Sequence, residues 1–232
     1  QRTALMRWVE AVVVAAAGTA LGWLTGFPLD LEWVGGSIGG LSGFIAGRKQ
    51  IYDWKAVAGW AGFLLDSTWG LVGTAGSLFF HGLQKLMPTG IYRPELSTRK
   101  GRHVYAGGYR LKAGFATAIG NVITNADGLS GLDGDGGPRR RLLIDRHEML
   151  HVWQHRLFGP LFPALDTLWF VLGALAGLMV AAVAKKPVAK SVLTVAYNNN
   201  PFEYFAYRRD EYWPPAGADK SLTWKPKRTD AV

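Results

Sequence analysis

Glycine recurs every fourth residue through two apolar runs near the start of the chain. Gly18, Gly22 and Gly26 lie in the first, and Gly35, Gly39, Gly43 and Gly47 in the second. Four residues make about one helical turn, so each set becomes a groove without side chains along one helix face. Two such grooves let helix backbones touch, which is how small residues drive helix association in lipid. The apolar filling between the glycines argues against a flexible loop. These spacings predict a glycine-zipper transmembrane hairpin over residues 8–48.

The flanks agree with that reading. Residues 9–27 are apolar except for Glu10, and at about 1.5 Å per residue they nearly cross a bilayer core. A small-residue stretch at Ala17 to Ala20 resembles a signal-cleavage site, but the apolar run continues to Phe27, so a retained membrane helix is expected. Pro28, Asp30 and Glu32 mark the turn. Arg2, Arg7, Arg48, Lys49 and Lys55 gather at the two ends, which by the positive-inside tendency both face the cytoplasm. The 30 glycines and 10 tryptophans suit a lipid environment better than a large soluble core. The net charge of +9 is read as cytoplasmic loops and contact with anionic headgroups. The basic residues are scattered and form no aromatic-interleaved face, so no nucleic-acid partner is expected.

A third apolar stretch, residues 56–87, carries Asp66 in its middle and Trp60 and Trp69 along it, with Trp54 just before. It either spans with Asp66 turned to protein or lies along the interface. Residues 100–125 change character. His103-Val104-Tyr105, Tyr109-Arg110-Leu111 and residues 115–119 are short, β-prone and broken by glycine, and predict a hairpin or small sheet. Residues 127–137 read as a flexible Gly/Asp loop, because Asp133 and Asp135 lack the distal Glu of a calcium loop. Residues 161–184 are strongly apolar, a last helix starts at Asn200-Pro201, and the tail from Pro214 is expected to be extended.

The chemistry concentrates at His147-Glu148-Met149-Leu150-His151. On a helix, His147 and His151 share a face and can hold one metal ion between their ring nitrogens. Glu148 beside them can take a proton from water. The chain has no cysteine, so a metal must use His, Asp or Glu. Glu203 is the candidate third ligand. A competing reading is purely structural. Asn200, Pro201 and Glu203 have capping-box spacing, as do residues three apart at Asp145 and Glu148, and the histidines could form a hydrogen-bonded polar stripe.

Two histidines on one helix with a glutamate from a later helix resemble the gluzincin pattern. The chain looks similar to uncharacterised bacterial membrane-associated proteins that share a Gly120-Asn121-Val122-Ile123 segment, the His147 to Gln154 helix, a Gly159-Pro160 break and Asn200-Pro201-Phe202-Glu203. The resemblance covers the C-terminal half. It implies a zincin-like core, Zn²⁺ on His147, His151 and Glu203, and Glu148 as the catalytic base. His155, Tyr204 and Tyr207 are candidate oxyanion or supporting groups.

The expected fold is therefore a mainly α membrane protein. The hairpin occupies 1–55, a third apolar helix and connector 56–99, and a small α+β zincin-like region 100–232, with an embedded apolar hairpin at 161–184. The expected function is a membrane-anchored zinc metallopeptidase-like protein of the bacterial inner membrane, its site on the cytoplasmic side, acting on a peptide. The rival reading is a non-catalytic subunit of a larger membrane complex. Topology constrains both. A single crossing by 161–184 would put His151 and Glu203 on opposite sides, so either that run doubles back near Gly173 or Gly177 or Glu203 is not a ligand. A hairpin or tilted helix that keeps the ligands together is expected, because residues 187–197 look too short and too charged to cross.

Overall fold

The computed structural model describes residues 2–109, 115–126 and 138–225. The described chain is mainly helical with one three-stranded sheet, and it divides into two compact units, Gln1–Pro160 and Leu161–Val232.

In the first unit, α1 (Arg2–Gly26) and α2 (Glu32–Lys49) form a hairpin closed by a 3₁₀ turn at Phe27–Leu29. The turn ends at Asp30 in the left-handed region, φ 54°. The helices touch backbone to backbone. A methyl group on Gly18 or Gly39 would overlap the carbonyl of the other, and the same holds for Gly22 and Gly35. On Gly43 it would lie 2.5 Å from the Val14 carbonyl oxygen, and on Gly47 2.6 Å from that of Glu10. Glu10 is held by Arg99, by Gln50 Nε2 at 2.9 Å and by Trp54 Nε1 at 2.7 Å, so the one charge within the apolar run is paired.

Two described helices are long and apolar enough to cross a membrane, Ala4–Leu29 and Leu161–Ala184. α2 is not among them, since Glu32, Arg48 and Lys49 fall within its 18 residues.

The third apolar stretch is two helices, α3 (Val57–Ser67) and α4 (Leu71–Leu86), broken at Thr68 to Gly70. A one-turn helix α5 (Pro94–Ser97) leads to β1 (His103–Val104), followed by β2 (Thr117–Ile119) and β3 (Val122–Thr124). The order is β1-β3-β2. β3 pairs parallel with β1 and antiparallel with β2 across the Gly120-Asn121 turn. Tyr109 lies outside the strands, whereas Arg110, Leu111 and the whole 127–137 loop fall outside the described residues. Next comes one continuous helical stretch: α6 (Pro138–Leu142), a π-helical segment Leu143–Glu148, and α7 (Met149–Phe158). Ile144 and Val152 are fully buried against Leu96, Val104, Ile123 and Ala126, which docks this stretch on the sheet.

The second unit is a helical hairpin, but its bend is not where the sequence suggests. Residues 161–184 do not double back at Gly173 or Gly177. They form one 24-residue helix, α8 (Leu161–Ala184), about 36 Å long. The turn is at Lys185 to Pro187, and the return runs through α9 (Val188–Val192) and a π-helical segment Leu193–Asn198. The two glycines serve as contact points instead. A methyl on Gly173 would sit 2.7 Å from Ala196 Cα, and one on Gly177 2.7 Å from Val192 Cα. This register returns Asn200 to the start of α8, where its Nδ2 donates to Asp166 Oδ1 at 2.7 Å. α10 (Pro201–Arg209) follows. The tail is not simply extended, because it folds back. Asn199 Nδ2 donates to the Leu222 carbonyl, Lys186 pairs with Asp219, and Trp213 Nε1 donates to the Trp224 carbonyl.

Candidate metal site

His147 and Glu148 are the last two residues of the π-helical segment, and His151 lies in the first turn of α7. π-helical insertions are rare and concentrate at functional sites. Glu148 lies inside a continuous helix, with φ −64° and ψ −35°, so it caps nothing. Asp145 is also interior and is engaged by the buried Arg102, whose Nη1 donates to the Ile144 carbonyl at 2.7 Å. The capping explanation therefore fails for both acids.

His147 and Glu148 are buried and His151 is half-buried. The Nε2 atoms of His147 and His151 lie 3.2 Å apart. Two nitrogens each about 2.0–2.1 Å from a tetrahedral ion sit roughly 3.3 Å apart, so the pair has the bite of a metal chelate. The same distance suits one N–H···N hydrogen bond, whose proton a metal would displace. His151 Nδ1 lies 2.7 Å from Gln154 Oε1. A carboxamide oxygen only accepts, so this contact puts the hydrogen on Nδ1 and leaves the Nε2 lone pair for a ligand. Gln154 is a supporting residue to which the sequence, though it places Gln154 three residues beyond His151, assigns no role.

A buried ion-pair network anchors the far end of α7. Arg156 Nε and Nη2 donate to Asp66 Oδ1 and Oδ2, both at 2.8 Å. Tyr52 Oη and Asn121 Nδ2 donate to Asp66 Oδ2 at 2.8 and 2.9 Å. Arg156 Nη2 also donates to the Gly101 carbonyl at 2.6 Å. Asp66 is thus turned to protein. α7 ends at Gly159, φ 52°, where a Cβ would press on the Trp69 backbone and indole. His155 is buried beside Gly73 and the Ala118 backbone, and burial, followed by the neighbouring His151, pushes its pKa down to about 4.

In the second unit Glu203 is the third residue of α10. Asn200 is a true N-cap, its Oδ1 accepting from the Phe202 N–H at 3.0 Å. The reciprocal half of a capping box is missing, since the Asn200 N–H donates to the Tyr197 carbonyl at 3.0 Å rather than to Glu203. Tyr204 is buried between Trp213 and Trp224, and Tyr207 is buried with its ring near Trp213. The metal-ligand types are His147 and His151 in the first unit and Glu203 in the second.

No protein-family model, curated protein or solved structure matches this chain.

Proposed function

We propose that the chain is a membrane-anchored zinc metallopeptidase-like protein, in which His147, His151 and Glu203 hold Zn²⁺ and Glu148 acts as general base. The 3.2 Å chelate geometry of the histidine pair, with Gln154 orienting His151, is the observation that carries it. The fold of the second unit supports the ligand set through its own return. Asn200, three residues before Glu203, bonds to Asp166 near the start of α8, so the glutamate belongs to the end of that helix that follows Pro160. The long apolar helices supply the membrane anchor, and the arginines and lysines at the ends of the α1–α2 hairpin favour a site on the cytoplasmic side of a bacterial inner membrane.

Zinc, when bound, supplies a Lewis acid that makes water ionise near neutral pH. Glu148 accepts the proton of the attacking water and passes it to the leaving amine. Its burial keeps that proton transfer away from bulk solvent. The test is hydrolysis of a fluorogenic peptide library by the full-length protein in detergent with zinc. Glu148→Gln is expected to abolish turnover while zinc content stays at the wild-type level, and turnover surviving the change refutes the mechanism.

A second reading is a non-catalytic subunit of a membrane complex that keeps the metal for structure. The many exposed apolar side chains of α8, among them Leu168, Leu175 and Met179, favour it. Stoichiometric zinc without turnover on any peptide, together with a stable membrane partner, would select it.

A further inference from the structure

α4 is built inside out. Its buried face is Gly73, Thr74, Ser77, Phe80, His81 and Gln84, mostly polar. Its outer face carries Val72, Phe79 and Leu86, with Phe79 66% and Leu86 82% exposed. A helix on a water-facing surface has the opposite arrangement, with its apolar stripe turned inward. α3 repeats the pattern. Its buried face is Gly59, Gly62, Phe63, Asp66 and Ser67, with Phe63 its one large apolar member, whereas Val57, Trp60 and Leu64 point outward, Val57 being 87% exposed. Clustered exposed apolar side chains over a polar interior mark a surface meant to be covered.

Three observations identify lipid as the cover. First, neither helix can cross a bilayer alone: 11 and 16 residues reach only about 16 and 24 Å against a core of roughly 30 Å. The break between them meets the rule for backbone at membrane depth. Thr74 Oγ1 donates to the Asp66 carbonyl at 2.6 Å and the Gly70 N–H to that of Leu65 at 2.7 Å, so the freed groups are satisfied internally. Second, the half-exposed Trp60 and Trp69 each show a ring outward while the indole N–H donates to a protein carbonyl, Trp54 and Leu157, both at 3.0 Å. An apolar body with a satisfied polar tip suits the bilayer interface. Third, exposed Lys55 just before α3 and Lys85 in the last turn of α4 offer positive charge to anionic headgroups.

We infer that the outer faces of α3 and α4 lie against lipid acyl chains as a broken, non-spanning pair, so that the unit carrying His147 and His151 is seated in the bilayer surface by its own helices as well as by α1. This stands on the first unit alone and does not depend on metal binding. The chain has no cysteine, so single cysteines can be placed at will. The full-length protein with Phe79→Cys, and separately Val72→Cys, is nitroxide-labelled and reconstituted in phosphatidylcholine–phosphatidylglycerol vesicles. Collision rates with oxygen and with a water-soluble nickel chelate are measured, with Lys100→Cys as the aqueous reference. Positions 79 and 72 are expected to show an oxygen-to-nickel ratio several-fold above that at position 100. A ratio equal to the reference places the face in water, and protection from both reagents places it against protein; either result overturns the inference.

Discussion

Replacing Arg156 by Met should cost more than any surface change in this protein. Arg156 is 1% and Asp66 4% exposed, and the guanidinium gives Asp66 two charge-assisted hydrogen bonds at 2.8 Å. Without it the carboxylate stays buried with Tyr52 and Asn121 as its donors among the described residues. Removing one partner of a buried pair costs about 3–5 kcal/mol, because a charge is left uncompensated. That is a large part of the roughly 5–15 kcal/mol that holds a typical domain together. Asp66→Asn in the same chain removes the stranded charge, so the double variant Asp66→Asn/Arg156→Met should recover about 2 kcal/mol or more. Denaturant unfolding of the full-length protein in mild detergent, followed by tryptophan fluorescence, gives both numbers. A loss under about 1 kcal/mol for Arg156→Met, or a double variant no better than the single one, refutes the view that this pair is a desolvated clamp on α7.

Two further predictions concern the helices and pH. Gly39→Ala should destabilise the α1–α2 hairpin by about 1–3 kcal/mol, since its methyl overlaps the Gly18 carbonyl, whereas Gly82→Ala, with nothing within 4 Å, should be neutral or stabilise by up to about 1 kcal/mol. Equal effects in the same unfolding assay contradict the zipper contact. Burial holds His103 well below the usual histidine range, and burial with the nearby His151 holds His155 at about 4. Both take up protons near pH 6.5 in the unfolded chain, so stability is full above about pH 7 and falls as the pH drops from 6.5 toward 4, by about 3 kcal/mol for His155 alone. Unfolding midpoints that stay flat between pH 7 and 5 would rule this out.

Local features of the sequence translated well into structure wherever the physics is local. Glycines four apart share a helix face whatever surrounds them, and Gly18, Gly22, Gly35 and Gly39 sit at the backbone contact of α1 and α2. His147 and His151 meet because helical spacing brings them together. Asn200-Pro201 starts α10 as an N-cap and first-turn proline should. Long-range pairing was not legible. Nothing near Arg156 names Asp66, 90 residues away, as its partner. The parallel pairing of β1 with β3 depends on what packs beneath, since β1 is only His103–Val104. The return along α8 is not legible either, since residues 187–197 are too short and too charged for a membrane crossing. They need only run back along a helix whose Gly173 and Gly177 admit a close neighbour, and the π-helical segment ending at Asn198 carries the chain to Asp166.

The proposed function requires one Zn²⁺ per chain on His147, His151 and Glu203. It is tested most directly by zinc titration of the metal-stripped full-length protein, with calorimetry and elemental analysis of the dialysed product. One zinc per chain is expected, with a loss of more than tenfold in affinity for Glu203→Ala and for His151→Ala and a 10- to 100-fold loss for Gln154→Leu, each with the circular dichroism of the wild type. Sub-stoichiometric zinc in the wild type, or wild-type affinity in Glu203→Ala, would contradict it.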